Sequence, residues 1–166
     1  MGIESKKEIV VRSSFFGFED GLVSTVGLLS GIAAAGVDNK AIITTGIVLV
    51  AVEALSMGVG GFLSEETVEE GEHQRRAFKL SLDSGFALLF SYIVAGLIPL
   101  MPYFLGSSTV YVYISIISAL ISLFLLGFVG GKVMKTNPIK NALRVFALGG
   151  LTILVGIFIG NLFPVA

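Results

Sequence analysis

Five apolar runs, each about 20 residues or longer, follow one another with only short polar connections. A bilayer's hydrocarbon layer is about 30 Å thick, so a helix needs about 20 apolar residues to cross it. Within lipid every backbone N–H and C=O must find its partner in the chain, which leaves only helices and closed barrels. Barrel strands would alternate polar and apolar residues over about 10 positions; continuous runs such as 41–52 do not. The chain is therefore predicted to be an all-α polytopic membrane protein. Its five transmembrane helices are expected at about 15–37, 41–63, 77–105, 110–133 and 139–163. Composition agrees: 14% of residues are charged, where a soluble domain has about a quarter. With connections this short, 1–166 reads as a single five-helix domain, and 64–79 as a short acidic connection between helices 2 and 3.

Orientation follows from the basic residues, which collect on the cytoplasmic side of membrane proteins. With the amino terminus inside, that side holds Lys6, Lys7, Arg12, Arg75, Arg76, Lys79, Lys132, Lys135, Lys140 and Arg144, and the other side holds Lys40 alone. A partition of ten to one predicts N-in/C-out. The first apolar run carries Glu19 and Asp20 and no small-residue cleavage site, so it is expected to be retained as a span. A myristoylation match at Met-Gly fails because Lys6 stands where a Ser or Thr is usual.

Polar groups inside the apolar runs are the candidate functional residues. Glu53 lies near the middle of the second run. A charge at the centre of a span costs about 2.5–3.5 kcal/mol on insertion scales, so it calls for a partner, a cavity or a proton. Met57 follows one helical turn later. A carboxylate beside a thioether suits a borderline transition metal better than Mg²⁺ or Ca²⁺, which take all-oxygen shells; a methionine alone would more simply be a packing residue. Glu19 and Asp20 lie about one turn into the first span and about 100° apart round the helix. Glu19 suits an interfacial acid neutralised by Arg12, and one of the pair should face protein or a pore. Asp83 is expected to be a structural acid paired with Lys79.

Beyond the second span, Glu65, Glu69 and His73 recur every four residues, with Glu66 and Glu70 on the adjacent track. Glu70 and His73 have the Glu-x-x-His spacing of helical carboxylate metal sites. A solvated acidic stem, with Glu72 paired to Arg75 or Arg76, is the commoner meaning of such a run, and Gly71 would loosen a helix there by about 1 kcal/mol. Concentrating cations at a cytoplasmic mouth needs no fixed site at all. The pairs Gly17/Gly21, Gly27/Gly31, Gly127/Gly131 and Gly156/Gly160 have GxxxG spacing, and Ser56/Gly60 is its small-residue equivalent. This spacing allows close helix approach, within a protomer or against a symmetry mate.

Several classes drop out. There is no cysteine, hence no disulfide or thiolate metal site. No phosphate-binding loop supports an ATP-driven pump, and no soluble portion is large enough for an enzyme domain. With one histidine no hydrolytic triad can be assembled, so the protein is not expected to be an enzyme, to hold a permanent cofactor or to bind nucleic acid.

At this point the residues resemble a known family, the vacuolar iron transporters and their prokaryotic relatives. The stretch GFEDGLVSTVGLLSGIAAAG is similar to the family's opening helix and ALSMGVGGFLS to its second-helix SMG motif. LIPLMPYFLG and NPIKNALRVFALGGLTILVGIFIGNLF are similar to the end of its third helix and to its fifth. The resemblance implies a five-helix protomer that forms a homodimer, with a metal path lined by the first helices of both subunits. It implies proton-coupled export of Fe²⁺, and often Mn²⁺, as the transported ion, and it carries Asp20 and Met57 over as membrane metal-site residues. Two features depart from the family pattern. Only about fifteen residues, 64–79, stand where well-known members insert a glutamate-rich helical domain, and Gly61 stands where many have an acid one turn after the methionine. Glu53, one turn before it, is expected to serve instead. The leading expectation is thus a proton-coupled Fe²⁺/Mn²⁺ exporter with Asp20, Glu53 and Met57 as its metal site, in a prokaryotic plasma membrane or, with the same topology, a vacuolar one. The alternatives are a small-molecule/proton antiporter and a non-transporting membrane metal-binding module.

Overall fold

The computed structural model describes residues 6–68 and 74–165, without the side chains of 66–68 and 74–77. Five helices follow in order: α1 (Lys6–Ala34), α2 (Asn39–Val68), α3 (Gln74–Leu105), α4 (Thr109–Val133) and α5 (Pro138–Leu162). All five are long and apolar enough to span a membrane. The spans read from the sequence lie inside these helices almost end to end; α1, however, starts nine residues before its apolar run. Hydropathy marks only the part that meets lipid, whereas the charged first turns of α1 are held by ion pairs to other helices.

Local chemistry sets the helix ends. Gly36, at φ 85°, closes α1: its N–H reaches Ala33 O and the Val37 N–H reaches Ile32 O, the paired bonds of a left-handed helix cap. Asp38 then caps α2, its Oδ1 accepting from Lys40 and Ala41 N–H at 3.0 and 3.1 Å. Asn137 does the same for α5, accepting from Ile139 and Lys140 N–H, with Pro138 at the first helical position. Pro99 and Pro102 lie inside α3, which continues as far as Leu105. Ser115 of α4 donates to the Pro99 carbonyl at 2.6 Å, tying the proline-bearing turn to its neighbour.

α1 is the axis of the bundle. It packs along α3 and α5 and touches α2 and α4 as well, while α2 rests on α3 and α4 on α5. Glycine makes that possible. A methyl at Gly17 would lie 2.7 Å from the Leu88 carbonyl oxygen, and one at Gly21 2.6 Å from that of Tyr92, so α3 crosses α1 with backbones nearly touching. Further along, Gly31 meets Gly156, and Gly160 meets Gly31, between α1 and α5. The GxxxG pairs of α1, α4 and α5 are therefore occupied within one protomer. Buried Leu22, Ala95, Leu123 and Val145 fill the space between.

One end of the bundle gathers the start of α1, the approach to the α2–α3 connection and the α4–α5 turn. There Lys6 pairs with Asp83 at 2.6 Å and Arg12 with Glu65 at 2.9 Å. Both pairings correct the sequence reading, which gave Asp83 to Lys79 and Arg12 to Glu19. Glu19 is almost two helical turns from Arg12, a rise of about 10 Å, whereas the end of α2 comes alongside it. At the other end the Val165 N–H meets Ala35 O at 2.8 Å and Asn39 reaches Tyr103 O at 3.0 Å.

Candidate functional site

Adjacent on α1, Glu19 and Asp20 point to different sides of the bundle. Asp20 is the central residue of the helix, fourteen from either end, and its carboxylate lies within electrostatic reach of Glu53 on α2. Glu53 in turn is near the middle of the span Asn39–Glu65, and Tyr92, whose phenol feels both acids, is near the middle of Phe78–Leu105. Three helices thus bring an Asp, a Glu and a Tyr to one level halfway through the apolar layer. The sequence placed Asp20 only one turn into its span because the helix was expected to begin later.

Close packing produces this layer. Gly21, next to Asp20, lets α3 approach until the Tyr92 backbone is against α1. The fully buried Tyr92 side chain then extends to Ser24, with 2.5 Å between Oη and Oγ. Ser24 already donates its proton to the Asp20 carbonyl at 2.7 Å, so the Tyr92 hydroxyl is the donor to Ser24. The hydroxyl of Thr25, also fully buried, lies beside Gly96 of α3. Ser24, Thr25 and Tyr92 were not singled out from the sequence. Their signal was weak, since isolated hydroxyl residues are ordinary in spans, and the Ser24–Tyr92 contact joins residues 68 apart.

Met57 is half-buried one turn beyond Glu53 on the same helix, and the residue after each, Ala54 and Gly58, is buried. Among the described residues, neither the Asp20 nor the Glu53 carboxylate has a hydrogen-bond or ion-pair partner. Nor does any group of three or more His, Cys, Asp and Glu side chains gather there. The chain offers two carboxylates without an ion-pair partner among the described residues, a thioether one turn along α2 and hydroxyls on α1 and α3. Two like charges within electrostatic reach in an apolar layer favour a cation beside them, whether a metal ion or protons.

The remaining acids behave differently. Glu19 faces away from Asp20, into a cleft with Arg144 between α1, α4 and α5. Glu65 is engaged by Arg12. Glu69, Glu70, Glu72 and His73 lie outside the described residues, as do the side chains of Glu66, Arg75 and Arg76.

Beyond the polar layer, a groove of about 560 Å³ opens between α1 and α5, bordered by Ser24, Leu28, Ile32 and Ala35 on one side and Val155 and Ile159 on the other. Ser24, Leu28 and Ile32 continue the i+4 row that starts at Asp20. A face of α1 is therefore open from mid-height to its far end.

Comparison with known proteins adds a second line of information. The model of the VIT family matches residues 11–80 and 69–161. Vacuolar iron transporter 1 of Tulipa gesneriana is 24% identical over 205 aligned positions, covering 86% of this chain and 82% of that protein. Its namesake in Arabidopsis thaliana is 22% identical over 205 positions, covering 86% and 81%. Vacuolar iron transporter homolog 2 of Arabidopsis thaliana is 24% identical over 173 positions, covering 93% and 88%. The longer alignments exceed the 166 residues of this chain, so those relatives carry insertions. The two matched pieces overlap at 69–80, within the α2–α3 connection and the start of α3.

Proposed function

The chain belongs to the VIT family, and from that premise we propose that it exports a divalent metal ion, Fe²⁺ or Mn²⁺, from the cytoplasm in exchange for protons. What carries the reading is the pair of carboxylates, Asp20 and Glu53, within electrostatic reach of one another near the middle of their spans and without an ion-pair partner among the described residues. Relatives named as vacuolar iron transporters supply the metal. Charge balance supplies the exchange: two carboxylates are neutralised by one divalent ion or by two protons, so departure of the metal favours uptake of protons. Met57 adds a soft ligand that biases the site toward transition metals over Mg²⁺ and Ca²⁺. Tyr92 and Ser24 brace the turn of α1 that carries Asp20.

Orientation in this reading is N-in/C-out, from the ten-to-one distribution of basic residues. The site is then loaded from the end that holds Glu65 and the acidic connection, which concentrates cations at its mouth. Release follows the open row Ser24, Leu28 and Ile32. A second copy covering that face completes a homodimer in which the two α1 helices line the path. The short connection at 64–79 stands in for the inserted segment of the longer relatives, and in a prokaryotic plasma membrane the direction is out of the cell.

Proteoliposomes separate the possibilities. Purified protein should move Fe²⁺ or Mn²⁺ faster when a pH gradient is imposed, and Asp20→Asn should abolish that flux. If Glu53→Gln moves metal with unchanged proton coupling, Glu53 has no part in the exchange. Movement of an organic cation alone would indicate a small-molecule/proton antiporter, and movement of neither a metal-binding module.

A further inference from the structure

At the basic end of the bundle a bond of 2.9 Å from Arg12 Nη2 to Glu65 Oε1 joins α1 to α2, the two helices that carry Asp20 and Glu53. The partners are unequal: the Arg12 side chain is 54% exposed and that of Glu65 14%. The carboxylate is held within the bundle, and the guanidinium reaches it from the surface. Arg12 stands eight residues before Asp20, about 12 Å along α1, and Glu65 twelve after Glu53, about 18 Å along α2. At their other end the same two helices are closed by apolar packing. Buried Leu29 and Ile42 meet Leu100 and Tyr103 there, and a methyl on Gly46 of α2 would lie 3.1 Å from Leu29 Cδ2. Between α1 and α2, the approach to the acids from the far end meets side chains in contact; from the basic end it meets a bridge of charge.

That bridge can open without moving a helix. Ser13, the residue after Arg12, is buried with its Oγ 2.8 Å from Ser84 Oγ of α3, and Gly17 sets the α1 backbone against the Leu88 carbonyl. The backbone that carries Arg12 is therefore anchored, and motion is left to its long, exposed side chain. An ion pair with one exposed partner contributes little to stability, so the guanidinium leaves at small cost. The cost falls on what remains, because a largely buried carboxylate without a counter-charge is unfavourable. Glu65 thus accepts a replacement cation more readily than it stands alone. Which cation succeeds follows from charge. A divalent ion is drawn to the carboxylate about twice as strongly as a monovalent one at equal distance, and a monovalent ion offers no more charge than the guanidinium already in place.

We propose that Arg12 is a specificity-determining residue at the cation entry, a tethered counter-ion that a divalent cation displaces from Glu65 and that monovalent cations do not. The role rests on the metal transport proposed above, so the test reads transport and binding separately. In proteoliposomes, Arg12→Gln should half-saturate at a lower Mn²⁺ concentration than wild type, by up to about fivefold, the worth of an exposed ion pair. Its maximal rate should change little, and added K⁺ should compete with Mn²⁺ more strongly than in wild type. Glu65→Gln should half-saturate at a higher concentration, and adding Arg12→Gln to it should have no further effect, since the two residues act as one unit. Arg12→Lys, which keeps the charge, should stay near wild type and guards against a folding defect in the glutamine variant. Thermal-shift titration of the same full-length variants with Mn²⁺ in detergent should give the same order of apparent affinities without any flux. If no variant moves Mn²⁺, the transport reading falls, and the binding series still decides the displacement. Equal apparent affinities for wild type and Arg12→Gln, or an effect of Arg12→Gln that persists without Glu65, overturn it.

Discussion

Asp20 and Glu53 are like-charged acids within electrostatic reach of one another, with no ion-pair partner among the described residues. Such a pair lowers stability, because an uncompensated charge in a poorly hydrated site is costly. Glu53→Gln removes one charge with little change of shape, so the metal-free variant should melt above wild type by about 2–4 °C for each 1 kcal/mol relieved. Added Mn²⁺ should raise the melting temperature of wild type, by up to about 2.7 kcal/mol of stability at a hundredfold excess over the dissociation constant, and leave the variant nearly unmoved. A thermal-shift series with and without metal reads both effects, and a variant that melts lower and still responds to Mn²⁺ would remove Glu53 from the site. Residues of this kind were legible in the sequence because a carboxylate in an apolar run stands out. Tyr92 was not, since a tyrosine in a span is unremarkable until α3 is set against α1. Arg12 was misread for a related reason: its partner Glu65 is 53 residues away, and proximity in sequence favoured Glu19.

At the level of helices, the glycines fall into two groups that spacing alone does not distinguish. Gly31 is locked against α5: a methyl there would lie 2.8 Å from the Gly156 carbonyl oxygen and 3.1 Å from its carbon, and backbone cannot step aside cheaply. Gly60, the partner of Ser56 in its small-residue pair, is exposed, with nothing within 4 Å of the same added methyl. Gly31→Ala should therefore cost about 1–3 kcal/mol through overpacking. Gly60→Ala should leave the protomer as stable or up to about 1 kcal/mol more so, through helix propensity alone. Denaturation of the two variants in the same detergent makes the comparison, and equal losses would contradict the packing described. The apolar spans themselves were readable because lipid demands length and hydrophobicity together. The start of α1 at Lys6 was not, because its first turns are charged and owe their place to Asp83 and Glu65 on other helices.

Across the whole molecule, charge and architecture point the same way along the membrane normal. Antiparallel packing brings the start of α1, the end of α2 and the α4–α5 turn to one end, so residues scattered through the sequence become one basic face. Lys40 stands at the opposite end, where Asn39 meets Tyr103 and Ala35 meets Val165. If the ten-to-one bias is the orienting signal, the direction of transport is fixed by it too, because the acidic connection lies at the basic end. The absence of cysteine makes this testable without background. In right-side-out vesicles, Lys40→Cys should react with a membrane-impermeant maleimide, and Lys135→Cys should react only after the vesicles are opened. Lys135 is the apt probe, since its left-handed backbone at φ 54° sets it on the tip of the α4–α5 turn. Labelling of Lys135→Cys from outside would invert the molecule and turn the proposed exporter into a route for uptake, with Asp20 and Glu53 still at its centre.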